Sequence, residues 1–160
     1  MLDYKMQNKN IKIFFDVDGV LTDGKFQYDK NGKKFKTFGP DDNDAIKLLK
    51  KKNYLCFITS DKRGYAITKK RIVDDMKCKL FLVPSSIRLN WIKKKKKNNK
   101  IIYMGDSFTD INIFKFADYS IAPNNCYYEL KKYSNFVTKH NGGDRAVAEA
   151  VLHIIKKFKL

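Results

Sequence analysis

Two acidic clusters and one hydroxyl pair are the residues of this chain best suited to chemistry. Asp16-Val17-Asp18-Gly19 sets two carboxylates two positions apart, Gly105-Asp106-Ser107-Phe108-Thr109-Asp110 sets two more four positions apart, and Thr59-Ser60 offers hydroxyls. Residues two apart on a strand face the same side, and Gly19 lets the chain curl so that Asp16 and Asp18 approach one small volume from different angles. Four carboxylates meeting at one point would repel strongly unless a divalent cation neutralised them. Oxygen ligands of this kind suit Mg²⁺, which keeps water ligands and works beside phosphate groups. The chemistry this predicts is attack on phosphorus by one carboxylate while the other manages protons.

The convergence depends on the elements that carry these clusters. Each follows a short apolar run, read as strands at 11–15, 54–58 and 100–104, and further strands are expected at 79–83, 118–121 and 135–138. Between them the pattern predicts a helix of about a dozen residues from Pro40. Further helices are expected at 65–76, 85–96, 107–117 and 143–158, with a helical turn at 127–132. Alternating strands and helices imply an α/β fold, a Rossmann-like parallel sheet with helices on both faces. Ligands of such sheets bind beyond the carboxyl ends of the strands, where all three clusters fall. One stretch breaks the alternation. Residues 25–29 and 33–38 interleave polar with aromatic residues about Asn31-Gly32, predicting a β-hairpin whose aromatic faces need a cover. With no repeat or linker, residues 1–160 read as one domain.

Composition bounds what else the chain could do. At 160 residues and 43% hydrophobic, it can bury a real core. No apolar run approaches the roughly 18 residues needed to cross a bilayer, and Met1–Gln7 lacks the apolar segment of an export leader. Cys56, Cys78 and Cys126 show no metal-ligand spacing and read as buried thiols of a reducing, cytoplasmic protein. His140 and His153 lack a partner that would make a catalytic pair, and His153 reads as helix packing. The net charge of +17 raises a second reading, a basic nucleic-acid-binding module with a vestigial acidic site. Against it, 30 of the 34 basic residues are lysine rather than the arginine such sites favour, and the Lys93–Lys97 run has no interleaved aromatic. Nucleic acid is therefore not the expected partner. A signalling receiver domain also gathers aspartates at strand ends, but would carry a lysine after the last strand rather than this pair of motifs.

Taken together, Asp16 to Gly24, Tyr28 to Gly32, Thr59, Gly105-Asp106 with Asp110, and Asn141-Gly142-Gly143 resemble the haloacid dehalogenase superfamily of phosphatases. The resemblance is to its capless branch, which contains 3-deoxy-D-manno-octulosonate 8-phosphate and acylneuraminate phosphatases, and it covers about residues 10–155. It implies that Asp16 is a nucleophile that becomes an aspartyl-phosphate and that Asp18 is the general acid, then base. It implies Mg²⁺ held by the Asp16 carboxylate, the Asp18 backbone carbonyl and Asp106, with Asp110 helping through water or a basic residue. Thr59 and Ser60 would bind the phosphoryl group. The substrate implied is a phosphorylated acidic sugar, in a homotetramer where the hairpin acts as a flap in place of a cap domain. Phe26, Tyr28, Phe35 and Phe38 would then be buried between chains, or else packed within their own.

Four positions depart from the branch. Its third motif is a lysine, where this chain offers Arg88, with Lys93 as a second candidate and a surface role for Arg88 as the plainer reading. Asn43 and Ala45 stand at two usual glycine places. Arg145 replaces a small residue and reads either as a contact to an acidic substrate or as a surface charge at a helix start.

Overall fold

A computed structural model describes residues 11–50 and 54–160. The leader expectation for Met1–Gln7 lies outside the described residues, among which no helix is long and apolar enough to cross a membrane.

Six strands form one parallel sheet: β1 (Ile11–Asp16), β4 (Tyr54–Thr59), β5 (Lys79–Leu82), β6 (Lys100–Met104), β7 (Tyr119–Ala122) and β8 (Phe136–Val137), in the order β5-β4-β1-β6-β7-β8. β1 is central, paired with β4 on one side and β6 on the other. Its side chains divide by the two-residue period of a strand. Ile11, Ile13 and Phe15 join one core cluster with helices α1 (Pro40–Lys50) and α5 (Ala146–Phe158), while Phe14 joins another with Ile92 of α3 (Ser85–Lys96) and Ile113 and Phe114 of α4 (Ile111–Phe116). Both faces are thus covered, which is why the strands read as continuous apolar runs.

The register delivers the chemistry to one edge. Asp16 lies beside Ile58, and Phe15 beside Met104, so the ends of β1, β4 and β6 stand side by side at the same height. Immediately after β1 the chain folds tightly on itself, with the Val17 carbonyl accepting from the Val20, Leu21 and Thr22 amides. The buried Thr22 hydroxyl accepts from the amides of Gly19 and Gly24. Gly19 has φ +85° and lies against Asp106, so any side chain there would be strained and would overlap that carboxylate.

Several element boundaries shift from expectation. The 65–76 helix is a short α2 (Tyr65–Lys69) running into a π-turn over Lys70–Asp75, and the 107–117 helix opens with a 3₁₀ turn at Phe108–Asp110. The last helix begins at Ala146 rather than 143. Gly143 and Arg145 have φ +74° and +70°, and Gly142 and Gly143 are pressed against the backbone of Gly19 to Asp23, a contact a regular helix could not make. The hairpin is narrower than 25–38. β2 (Gln27–Asp29) pairs with β3 (Gly32–Phe35), with Lys30 and Asn31 as the loop and Gly32 already in the strand at φ +113°.

Candidate active site

Asp16 ends β1 with its carboxylate buried. The Val17 amide donates to its Oδ1 at 2.8 Å and Arg88 Nη1 donates to its Oδ2 at 2.7 Å. Arg88 rises from the first turns of α3 and is 2% exposed, so it is no surface residue. The same Nη1 also donates to the Tyr103 hydroxyl at 3.1 Å and lies 3.5 Å from Asp110 Oδ1, while Tyr103 donates to Asp110 at 2.8 Å. Lys93, the second candidate, lies over the Phe116 ring at 5.7 Å. Tyr103, on β6, ties Asp110 to Arg88 and had no signal in the sequence beyond membership of an apolar run.

Asp16, Asp106 and Asp110 present oxygens within 4.8 Å of one another. Asp110 is fixed by a capping box in which Ser107 donates its amide to Asp110 Oδ2 at 3.1 Å. Asp106 Oδ1 is buried with no hydrogen-bond partner. One arginine does not balance three carboxylates, and an orphaned, water-excluded carboxylate oxygen beside two others is a donor set that fits a hard divalent cation. The electrostatics agree. Burial pushes the Asp16 carboxyl up to about 7 against the opposing pull of Arg88. Burial, then the charges of Asp16 and Asp110, push Asp106 up to about 8.

Both shifts are upward, so between pH 3.8 and about 8 the folded protein binds protons that the unfolded chain has released. The stability present below pH 3.8 is therefore lost as pH rises through that window, and a cation displacing those protons should restore it. Millimolar MgCl₂ is expected to raise the melting temperature by several degrees at pH 8 and much less at pH 5. Equal shifts at both pH values in differential scanning fluorimetry would count against an ion held by these carboxylates.

The Asp18 side chain is turned from this group. Its Oδ2 accepts from Thr59 Oγ1 at 3.2 Å, and its Oδ1 lies 2.7 Å from Lys36 Nζ. Lys36 follows β3, and its ammonium also meets Asp61 Oδ2 and Thr68 Oγ1, each at 2.8 Å. Lys33 reaches the same Asp61 oxygen at 2.6 Å. Burial pushes the Asp61 carboxyl up, but the hydrogen bonds from Lys33 and Lys36 more than offset this and hold it at about 2. Neither Lys36 nor Asp61 stood out in a sequence so rich in both residue types. Ser60 is exposed at the end of β4.

Arg145 is exposed, with Nε donating to Asp41 at 2.8 Å and Nη1 to Asp144 at 3.1 Å, so a substrate anion would have to compete with both. Asp42 is buried and caps α5 from α1, accepting from the Ala148 amide at 2.8 Å. His153 stacks on Phe136 with centroids 3.8 Å apart, His140 meets Glu149 at 2.8 Å, and the three cysteines are free and buried. In the basic run, Lys95 and Lys96 lie over Trp91 and Phe116, and Lys96 also pairs with Asp118 at 2.9 Å. Of the hairpin aromatics, Phe38 packs on the core of its own chain and Phe26 lies under the Lys33 ammonium at 3.3 Å, whereas Tyr28 and Phe35 are 57% and 64% exposed.

Comparison with known proteins agrees with this geometry. A family profile described as haloacid dehalogenase-like hydrolase matches residues 85–151. The 3-deoxy-D-manno-octulosonate 8-phosphate phosphatase KdsC of Haemophilus influenzae is 32% identical over 152 residues, covering 90% of this chain and 83% of the relative. The cobalt-bound structure of the Haemophilus influenzae phosphatase superposes with a TM-score of 0.79 at 25% identity, covering 97% of this chain and 92% of that one. The Moraxella catarrhalis enzyme, solved with magnesium ion, phosphate ion and KDO, gives 0.77 at 25% identity, over 98% and 92%. An α/β sheet with acidic residues gathered at its carboxyl edge, matched nearly end to end by these enzymes, places the chain in the haloacid dehalogenase-like hydrolases, as a phosphatase of the KdsC kind.

Proposed function

We propose that this phosphatase hydrolyses the terminal phosphate of an acidic eight- or nine-carbon sugar, such as 3-deoxy-D-manno-octulosonate 8-phosphate or an acylneuraminate 9-phosphate. The reading further assigns it Mg²⁺ and a phosphoryl group carried transiently on Asp16. The observation that carries this reading is the buried Asp16 carboxylate, gripped by Arg88 at 2.7 Å beside Asp106 and Asp110, with Asp18 two residues on.

In this mechanism an Asp16 oxygen attacks phosphorus in line with the departing sugar oxygen, and Asp18 gives that oxygen a proton as it leaves. Water then attacks the same phosphorus, Asp18 takes its proton back, and the Asp16–phosphorus bond breaks. Thr59 and Ser60, at the end of β4, bind phosphoryl oxygens. Arg88, where the branch carries lysine, orients Asp16 and faces the charge of the phosphoryl group. The Asp16 carboxylate, the Asp18 backbone carbonyl and Asp106 would hold Mg²⁺, with Asp110 acting through Arg88 or water. When bound, the ion supplies positive charge for the phosphoryl oxygens. Arg145 would meet the sugar carboxylate once released from Asp41. Self-association through the exposed Tyr28 and Phe35 faces, as a homotetramer, would close the site from the hairpin side.

The deciding experiment is a panel of phosphorylated sugars assayed with Mg²⁺ and with EDTA. Phosphate release should be fastest from acidic eight- and nine-carbon sugars and fall at least 100-fold in EDTA. Metal-independent release, or a preference for neutral sugar phosphates, would overturn the reading.

A further inference from the structure

Lys36 is the least expected group beside the site. Its side chain is 0% exposed, although lysine heads almost always reach solvent. It comes from the segment leaving the hairpin, and its ammonium meets Asp18 from the turn after β1, Asp61 from the loop after β4 and Thr68 from α2. The cradle is built to receive it. A Cβ at Gly64 would press on the Asp61 carboxylate and fall 2.8 Å from Lys36 Cε and 2.9 Å from Lys33 Cδ, so a side chain there would displace the ends of all three. Buried ammonium ions cost several kcal/mol unless paired, and here two carboxylates and a hydroxyl complete the shell.

We infer that Lys36 is a positioning residue for proton transfer: by holding Oδ1 of Asp18, it leaves Oδ2 to carry the proton that goes to the leaving group. The two oxygens of Asp18 are made inequivalent by their neighbours. Oδ1 lies 2.7 Å from the ammonium as an ion pair without a hydrogen bond, and positive charge at that distance favours the unprotonated oxygen. Oδ2 faces the Thr59 hydroxyl at 3.2 Å, which can donate or accept. Without Lys36, Asp18 and Asp61 would repel across the gap it fills, and the Asp18 carboxylate would be free to rotate. In the first half-reaction the proton leaves Asp18 Oδ2 for the sugar oxygen as the bond from that oxygen to phosphorus breaks and the bond from Asp16 to phosphorus forms. In the second, a water proton returns to Oδ2 as the water oxygen bonds to phosphorus and Asp16 is released.

This inference rests on the reading under Proposed function, and the test separates them. The measured quantity is the ratio of kcat/KM for 3-deoxy-D-manno-octulosonate 8-phosphate to that for 4-nitrophenyl phosphate, whose phenolate leaves without a proton. Because kcat/KM reports only steps through departure of the first product, the ratio isolates proton donation from water attack. Lys36→Met should lower the ratio by about 10- to 100-fold, and Lys36→Arg should recover most of it. If the two substrates lose activity together, or neither loses any, Lys36 binds phosphate or only supports the hairpin, and the inference falls while the phosphatase reading stands. Should Lys36→Met fail to fold, Lys36→Gln keeps a donor for Thr68 and Asp61 without the charge and makes the same comparison. If the parent enzyme hydrolyses neither substrate, or Asp16→Asn retains both activities, the underlying reading fails first.

Discussion

Asp16→Asn is expected to lower kcat by about 10⁴-fold or more, equivalent to at least ~5.5 kcal/mol of transition-state stabilisation, while the protein still folds. An amide nitrogen cannot take the phosphoryl group, and the remaining amide oxygen is a poor nucleophile. Retention of the fold follows from the balance at this position. The carboxylate accepts two hydrogen bonds, from Val17 and Arg88, and the amide oxygen can keep only one fully, a loss of about 1.5–3 kcal/mol where a charged partner is involved. Against that, the substitution removes a buried charge that its surroundings resist, since burial raises the Asp16 carboxyl to about 7. The melting temperature in metal-free buffer should therefore change by only a few degrees, with an unchanged far-ultraviolet circular dichroism spectrum. A variant that folded and turned over normally would remove Asp16 from the mechanism. A variant that failed to fold would show instead that the Arg88 contact is indispensable to the core.

The parts of this site that were legible in the sequence are those fixed by strand register. Asp16, Thr59 and Asp106 each stand at or just past the end of an apolar run, and parallel pairing of β1 with β4 and β6 brings such ends together whatever the details of packing. Asp110 was legible from its spacing, four positions after Asp106 in the same cluster, and the structure fixes it there with a Ser107–Asp110 capping box. Arg88 was harder. Sequence placed it on the right helix, but whether it faced solvent or Asp16 depended on how that helix docks. Tyr103 and Lys36 were illegible for a related reason. Tyr103 looked like one more apolar residue on β6, and Lys36 was one lysine among thirty on a hairpin whose docking is set by side-chain contacts with Asp61 and Thr68 rather than by any periodicity. Arg145 illustrates the converse. The type of residue suggested an anion contact, while the left-handed turn that precedes α5 directs it to Asp41 and Asp144.

Asp18→Asn is expected to slow turnover of a sugar phosphate by about 10²- to 10⁴-fold, the range for loss of a general acid–base group, and to do so in a way that leaves a trace. The side chain is held at both oxygens, by Thr59 at 3.2 Å and by Lys36 at 2.7 Å, and an amide of the same shape can stay in place with its oxygen toward one of them. What it cannot do is give a proton to a sugar alkoxide or take one from water. With 4-nitrophenyl phosphate the first deficiency matters little, because the phenolate leaves unaided, but the second remains. Nitrophenolate should then appear in a rapid burst approaching one equivalent per site and stop, with phosphate retained on the protein after acid quenching. Asp16→Asn, lacking the nucleophile, should give neither burst nor retained phosphate, so the pair of variants divides the two half-reactions between the two carboxylates. Steady turnover of the sugar phosphate by Asp18→Asn would assign the proton to another group, and the inequivalent oxygens that Lys36 creates would then have no part in the reaction.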